Sequence, residues 1–299
     1  MNRRHFLAAS VAATVAAKFA LAPGAYAEAT HRISRVGTQL YTVRALLPKD
    51  FEGTLAHIAK IGYKEVEFAG YFDHSPKDVR AILDKNGLTA PSAHISMDVV
   101  QNKLPEAIET AHIIGHKFLV CPWIDEKIRN QAETWPKVVE AFNKAGETTA
   151  KAGIQFLYHN HNFEFGHLAA LGGQMPYDYL LQKTDPKLVK MELDLCWITV
   201  GGQDPLAYFK KWPGRFPCVH VKDMAKLPKP PLNPDGTAVS LENVKTDMTD
   251  VGQGVIDWKK IFAHSDEAGI QHYYVEDDYT KDPFATLENS YKYLAALRF

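Results

Sequence analysis

Glu164, Asp194, His220 and Glu276 each stand just beyond a short apolar run in the second half of the chain, and together they offer three carboxylates and one imidazole. The runs read IQFLYHNHNFEF (154–165), LVKMELDLCW (188–197), PCVHVKD (217–223) and HYYVEDD (272–278). If these are parallel strands of one closed sheet, their C-terminal ends share a single mouth and the four groups can share one ion. Three oxygens and a nitrogen suit Mn²⁺, Mg²⁺ or Co²⁺, with Zn²⁺ a further candidate, and suit a thiol-rich structural zinc site poorly. The competing reading is four unrelated surface charges at loop starts. Recurrence at four successive run ends favours the shared site.

Positioning such a set needs regular elements, and strand-like and helix-like segments alternate eight times along the chain. Strand candidates are 36–42, 64–68, 88–95, 117–121, 154–160, 188–195, 217–222 and 271–276. Helical patterns lie at 51–61, 76–86, 103–114, 129–152, 177–183, 205–211, 257–268 and 283–296. Gly62, Gly87, Gly115, Gly153 and Gly269 close five of them, as C-terminal caps do, and Ser75-Pro76 opens another. Alternation without a long polar break predicts an α/β chain of parallel strands with right-handed crossovers. Eight repeats, with no Gly-rich phosphate turn after the first strand, favour a closed (β/α)₈ barrel of a single domain over an open doubly wound sheet. The one irregular stretch, 224–250, follows the seventh strand and would lie over the mouth, as a lid or as an inert excursion.

The first 27 residues stand apart from this pattern. Arg3-Arg4, an Ala-rich apolar stretch and Ala25-Tyr26-Ala27 resemble a twin-arginine export signal, although Asn2 and Ala8 depart from its usual residues. The stretch is too short and weak for a membrane span and carries Lys18. The expectation is a leader over 1–27, a barrel over 28–299, passage through the twin-arginine export machinery, and a periplasmic protein with no membrane association once the leader is removed. Losing it takes three of the 34 basic residues and none of the 35 acidic ones, so the remainder is net acidic and ill suited to nucleic acid. Cys121, Cys196 and Cys218 lie in or beside strand candidates and read as small buried hydrophobes, not a disulfide framework. A homo-oligomer is compatible with all of this.

The stretches GTQLYTVR, AGIQFLYHNHNFEF, ELDLCWITVGGQDP, CVHVKD and VGQGVIDWKKIF, followed by YYVEDD, resemble the xylose isomerase-like TIM barrels known as sugar phosphate isomerases/epimerases. That family includes tagatose/psicose epimerases and inosose dehydratases. The resemblance spans about 36–290 and is specific for the superfamily but weak on substrate. It implies a metal held by a strand-5 Glu, strand-6 Asp, strand-7 His and strand-8 Glu, which map onto Glu164, Asp194, His220 and Glu276. The chain departs from the pattern at strand 5, where Tyr158-His159-Asn160-His161 stand in the usual place of the Glu. Glu164 bending back is the preferred ligand; His159 or His161 is the alternative.

Such an ion acidifies the C–H between a hydroxyl and a carbonyl of a sugar or keto-sugar. Carboxylates on opposite faces of that carbon, here Glu164 and Glu276, would carry the proton across in an isomerase or epimerase. A leaving group one carbon further on would make the same site a lyase or hydratase of 3-keto-glycosides or inosose-like compounds, with His159 and His161 as proton carriers. A sugar-binding protein without turnover is a third reading. Gln39, Glu67, His94, Trp123, Lys222 and Asp223 are the further candidates for substrate contact; Lys222 shares a strand face with His220, and Trp123 and Trp197 offer stacking surfaces.

Overall fold

The structure, a computed structural model, describes residues 31–299; the leader expected over 1–27 lies outside them. Eight parallel strands close into a barrel: β1 (Val36–Gln39), β2 (Glu65–Phe68), β3 (Thr89–His94), β4 (Phe118–Cys121), β5 (Gln155–His159), β6 (Val189–Asp194), β7 (Cys218–Val221) and β8 (His272–Val275), with β1 pairing β8. Each expected strand is present, trimmed at its ends. The crossover helices are α1 (Phe51–Ile61), α2 (Pro76–Lys85), α3 (Leu104–Ile114), α4 (Thr134–Lys151), α5 (Pro176–Lys183), α6 (Pro205–Lys211), α7 (Trp258–Phe262) and α8 (Pro283–Ala296). Short extra helices at Met97–Asn102 and Leu195–Val200 follow β3 and β6 directly. No helix among the described residues is long and apolar enough to cross a membrane.

Local chemistry sets these boundaries. Ser75 Oγ accepts from Asp78 N with Pro76 at the first helical position, and α3 ends on Gly115 at φ 98°, a conformation that penalises a Cβ. Gly37 on β1 answers a different need: a Cβ there would meet the Tyr274 ring at 2.6 Å. That ring belongs to the interior plug formed by Phe118, Val120, Leu157, Cys218 and Tyr274, which fills the lower barrel. Outside the strands, Trp135, Phe142, Phe156 and Tyr158 belong to the larger shell between sheet and helices. Burying each such side chain contributes roughly 1.5–3 kcal/mol. Alternation therefore sorts β5 cleanly: Leu157 and His159 point inward, Phe156 and Tyr158 outward.

Residues 224–250 are less irregular than their composition suggests. Asp223–Met224 pairs antiparallel with Met248–Thr249, and a single helical turn covers Leu241–Val244. Leu241 reaches the cavity at the barrel mouth. The three cysteines are buried and unpaired.

Candidate functional site

The C-terminal ends of the strands open into a cavity of about 690 Å³. Its floor is charged and its walls are aromatic. Tyr41, Trp123, Trp197 and Tyr279 line the sides, while His94, His159, His161, Lys222, Glu276 and Asp278 supply the polar groups. Trp123 packs edge-on against His161, with ring centroids 4.9 Å apart.

Asp194 ends β6 and divides its two oxygens between two tasks. Oδ1 accepts from Trp197 N at 2.7 Å and so caps the helix that follows, and the Asp194 N–H donates to Asn160 Oδ1 at 3.0 Å. Oδ2, fully buried, has no hydrogen-bond partner among the described residues; Lys222 Nζ stands 3.0 Å away as an ion pair without hydrogen-bond alignment. His220 on β7 turns Nδ1 to Glu276 Oε2 at 2.7 Å and Nε2 to Glu67 Oε2 at 2.7 Å. Lys222 Nζ also contacts Glu276 Oε2 at 2.6 Å and Asp278 Oδ2 at 2.9 Å. Ligand atoms of Asp194, His220 and Glu276 all lie within 4.8 Å of one another.

The electrostatics follow from this packing. Burial opposes charge on Glu276, yet Lys222 and His220 hold its carboxyl well below the usual range. Burial likewise opposes the Lys222 ammonium, and Asp194, Asp278 and Glu276 outweigh it. His94 is pushed up to about 9 against burial by Glu67 and Glu192. Burial pushes His159 and His161 the other way, reinforced for His159 by His220 and for His161 by Lys222. Both imidazoles are therefore neutral at pH 7, and both carry an Nδ1 without a hydrogen-bond partner among the described residues.

Of the four ligands expected from sequence, three meet and one does not. Glu164 lies on a short 3₁₀ turn (Phe163–Phe165), where its Oε1 accepts from the Tyr158 hydroxyl and its Oε2 from the His161 N–H at 2.9 Å. Tyr158 is outward-facing, so this carboxylate is drawn behind the strand, away from both the cavity and the cluster. The place at the end of β5 belongs to His159, whose ring centroid is 4.3 Å from that of His220. Pairing Glu164 with Glu276 across a bound sugar is thus not supported by the geometry.

The substrate candidates divide similarly. His94, Trp123 and Lys222 line the cavity. Gln39 and Glu67 lie beneath it, Gln39 Nε2 donating to Glu67 Oε2 at 2.7 Å. Asp223 is not at the mouth: it accepts from Met224 N, Gly252 N, Ile256 N and Trp258 Nε1 and pins the loop before α7. Adjacent strand residues face opposite ways, so Lys222 inward requires Asp223 outward. Glu192, fully buried on β6, was not among the expected residues. Its spacing of two from Asp194 was the available signal. Arg44, Tyr41, Asp278 and Tyr279 are among the cavity residues that sequence alone did not single out.

The donor chemistry fits a divalent ion. Two carboxylates and an imidazole converge in a site screened from water, and Asp194 Oδ2, without a hydrogen-bond partner among the described residues, stands 4.0 Å from His220 Nδ1. An inosose dehydratase of Lacticaseibacillus casei is 25% identical over 272 residues, covering 82% of this chain and 89% of that one. A sugar phosphate isomerase/epimerase from Parabacteroides distasonis superposes with a TM-score of 0.71 at 27% identity, covering 94% of this chain and 99% of its own. The solved IolI protein with a bound zinc atom shares the fold at a TM-score of 0.65 and 15% identity, over 89% and 99% of the two chains. Residues 55–297 match the family described as the xylose isomerase-like TIM barrel. With its eight-stranded closure and that match over 55–297, the chain belongs to that family.

Proposed function

We propose that this protein is a divalent-metal-dependent lyase that removes a proton beside the carbonyl of a keto-sugar or inosose-like ring and expels an oxygen substituent from the next carbon. The observation that carries this reading is the placement of neutral imidazoles, His159 and His161, at a cavity from which Glu164 is withdrawn. Carrying a proton across a carbon calls for a second basic group on the opposite face, whereas elimination needs only one base that can return its proton to the departing oxygen. The similarity to inosose dehydratases agrees with this choice.

Asp194, His220 and Glu276 would hold the ion. When bound, the ion polarises the substrate carbonyl and acidifies the neighbouring C–H. The His161 imidazole then takes the proton, and the C–H electrons form the new double bond. The C–O bond breaks with its electron pair, and the departing oxygen recovers the proton from the His161 imidazolium. Lys222, fixed by Asp278, stabilises the negative charge that builds on the substrate oxygen. Trp123 offers a flat apolar face to the ring, and the buried floor excludes bulk water.

The test is to incubate metal-loaded protein with inososes and 3-keto-glycosides in D₂O. Release of water or of the aglycone with an unsaturated product is expected. Deuterium incorporation into recovered substrate without elimination would overturn the lyase reading in favour of an isomerase or epimerase, the activity that the similarity to the Parabacteroides protein favours. We also propose that residues 1–27 are a twin-arginine leader and that the enzyme works in the periplasm, a reading supported by Arg3-Arg4 and the Ala25-Tyr26-Ala27 site.

A further inference from the structure

Below the mouth, the barrel interior carries charge at a level where such barrels are filled by branched apolar side chains. His94 ends β3, His159 ends β5, Glu192 lies on β6 facing the same way as Asp194, and His220 belongs to β7; their ligand atoms all lie within 4.8 Å of one another. Three ring nitrogens surround a single oxygen, Glu192 Oε2: His94 Nε2 at 2.8 Å, His220 Nε2 at 3.1 Å and His159 Nδ1 at 3.4 Å. Glu67 Oε2 adds a second carboxylate, 2.7 Å from His220 Nε2 and 3.3 Å from His94 Nε2. Gln39 and Ser92 donate to Glu67 and fix it in place.

Hydrogen bonding alone leaves this group incomplete. His159 is 2% exposed and Glu192 0%, yet His159 Nδ1 and Glu192 Oε1 have no hydrogen-bond partner among the described residues. The 3.4 Å approach of His159 Nδ1 to Glu192 aims an unshared nitrogen into the cluster. Three imidazole nitrogens and a carboxylate oxygen, close enough for bonds of about 2.0–2.2 Å to one centre, are the donors of a borderline first-row ion.

We propose that His94, His159, Glu192 and His220 form a second divalent-cation site, deeper in the barrel than the Asp194–His220–Glu276 group and selective for Zn²⁺, Co²⁺ or Fe²⁺ over Mg²⁺. His220 serves it through Nε2 and leaves Nδ1 facing Glu276 at the mouth. Glu67 is its positioning carboxylate. The imidazole-rich donor set separates it chemically from the mouth, where two of the three donors are carboxylates. Filling it requires no substrate and no turnover, so the proposal stands apart from the lyase reading.

The test counts ions and places them. Purified protein is loaded with Zn²⁺, desalted and assayed for bound metal by mass spectrometry, and Zn²⁺-soaked crystals are measured at the zinc edge. Two ions per chain are expected, one within bonding distance of His94 and Glu192. Glu192→Gln should lower the count to one and keep the ion at Asp194 and Glu276, while Asp194→Asn should lower it to one and keep the deeper ion. A single anomalous peak at the His94–Glu192 position would also support the site. A peak confined to Asp194 and Glu276, a count unmoved by Glu192→Gln, or no bound metal would overturn it. If Glu192→Gln fails to fold by circular dichroism, the anomalous map of the unaltered protein decides.

Discussion

Tyr158 and Glu164 form a hydrogen-bonded pair on the outer side of β5, the phenol donating to Oε1 while the His161 N–H donates to Oε2. The pair fixes the path of residues 160–164, and thereby the angle at which His161 enters the cavity. A carboxylate that the sequence offers as a metal ligand stands outside the cluster and braces, by these two hydrogen bonds, the segment that carries an imidazole.

Replacement of that brace separates the two roles. Glu164→Gln should keep full metal content, because the amide can still accept from His161 N–H and donate to Tyr158. Loss of metal in this variant would restore Glu164 as a ligand. A pH effect accompanies it. Burial pushes Glu164 up from 4.5 to about 8, so its stabilising protonated form is fully present below the unfolded value and is lost as pH rises through about 8. The Gln variant does not titrate. Its thermal midpoint relative to the unaltered protein should therefore climb between pH 4.5 and 8 and level off above, a free-energy gap on the order of a few kcal/mol. A difference constant across that range would refute the shift.

Asp194→Asn and Glu276→Gln remove charge without removing volume. Each should weaken Mn²⁺ binding by more than the roughly 10–100-fold typical of outer-shell partners, with the far-ultraviolet circular dichroism unchanged. Isothermal titration of both variants checks this, and affinity equal to that of the unaltered protein would exclude the mouth as the ion's place.

Asp223→Ala is expected to act on stability and not on the site. The carboxylate serves three backbone N–H groups and the Trp258 indole, and truncation leaves buried donors unpaired. A loss of about 2–4 kcal/mol in urea unfolding follows, with metal content intact. A fall in metal affinity without a fall in stability would return Asp223 to the site.

Exchange of Arg3 and Arg4 for lysine tests the leader. Twin-arginine recognition depends on the guanidinium pair, so the double variant should accumulate as uncleaved precursor inside the cell. Undiminished delivery, followed by immunoblot of cell fractions, would point to general secretion instead.

The barrel was legible because its signals are local. Each strand candidate is a short apolar run, and Gly115 and Gly269 mark helix ends by a backbone geometry that side chains avoid. The convergence of Asp194, His220 and Glu276 was legible for the same reason, since strand ends fix where a side chain emerges. Glu164 lies apart from them because it follows the strand, where alternation no longer dictates direction and the deciding contact is a hydroxyl six residues back. Glu192 went unread because a carboxylate inside a strand normally signals the solvent face. Only barrel closure, bringing β3, β5, β6 and β7 around one axis, turns it inward. Asp223 could have been assigned from alternation alone, by its place next to Lys222.

The excursion over 224–250 leaves the barrel and returns to it at neighbouring backbone, because Asp223–Met224 pairs with Met248–Thr249 and Ala225 N donates to Asp247 O at 2.7 Å. Its far end rests on the segment after β5, through Asn162 Nδ2 to Val239 O at 2.7 Å and His167 N to Gly236 O at 2.9 Å. A segment closed at its base in this way can lengthen, shorten or be exchanged without stretching the strands beneath it. Leu241, carried on it, borders the cavity, so grafting this one piece between related barrels would alter what fits at the mouth while leaving the charged floor untouched.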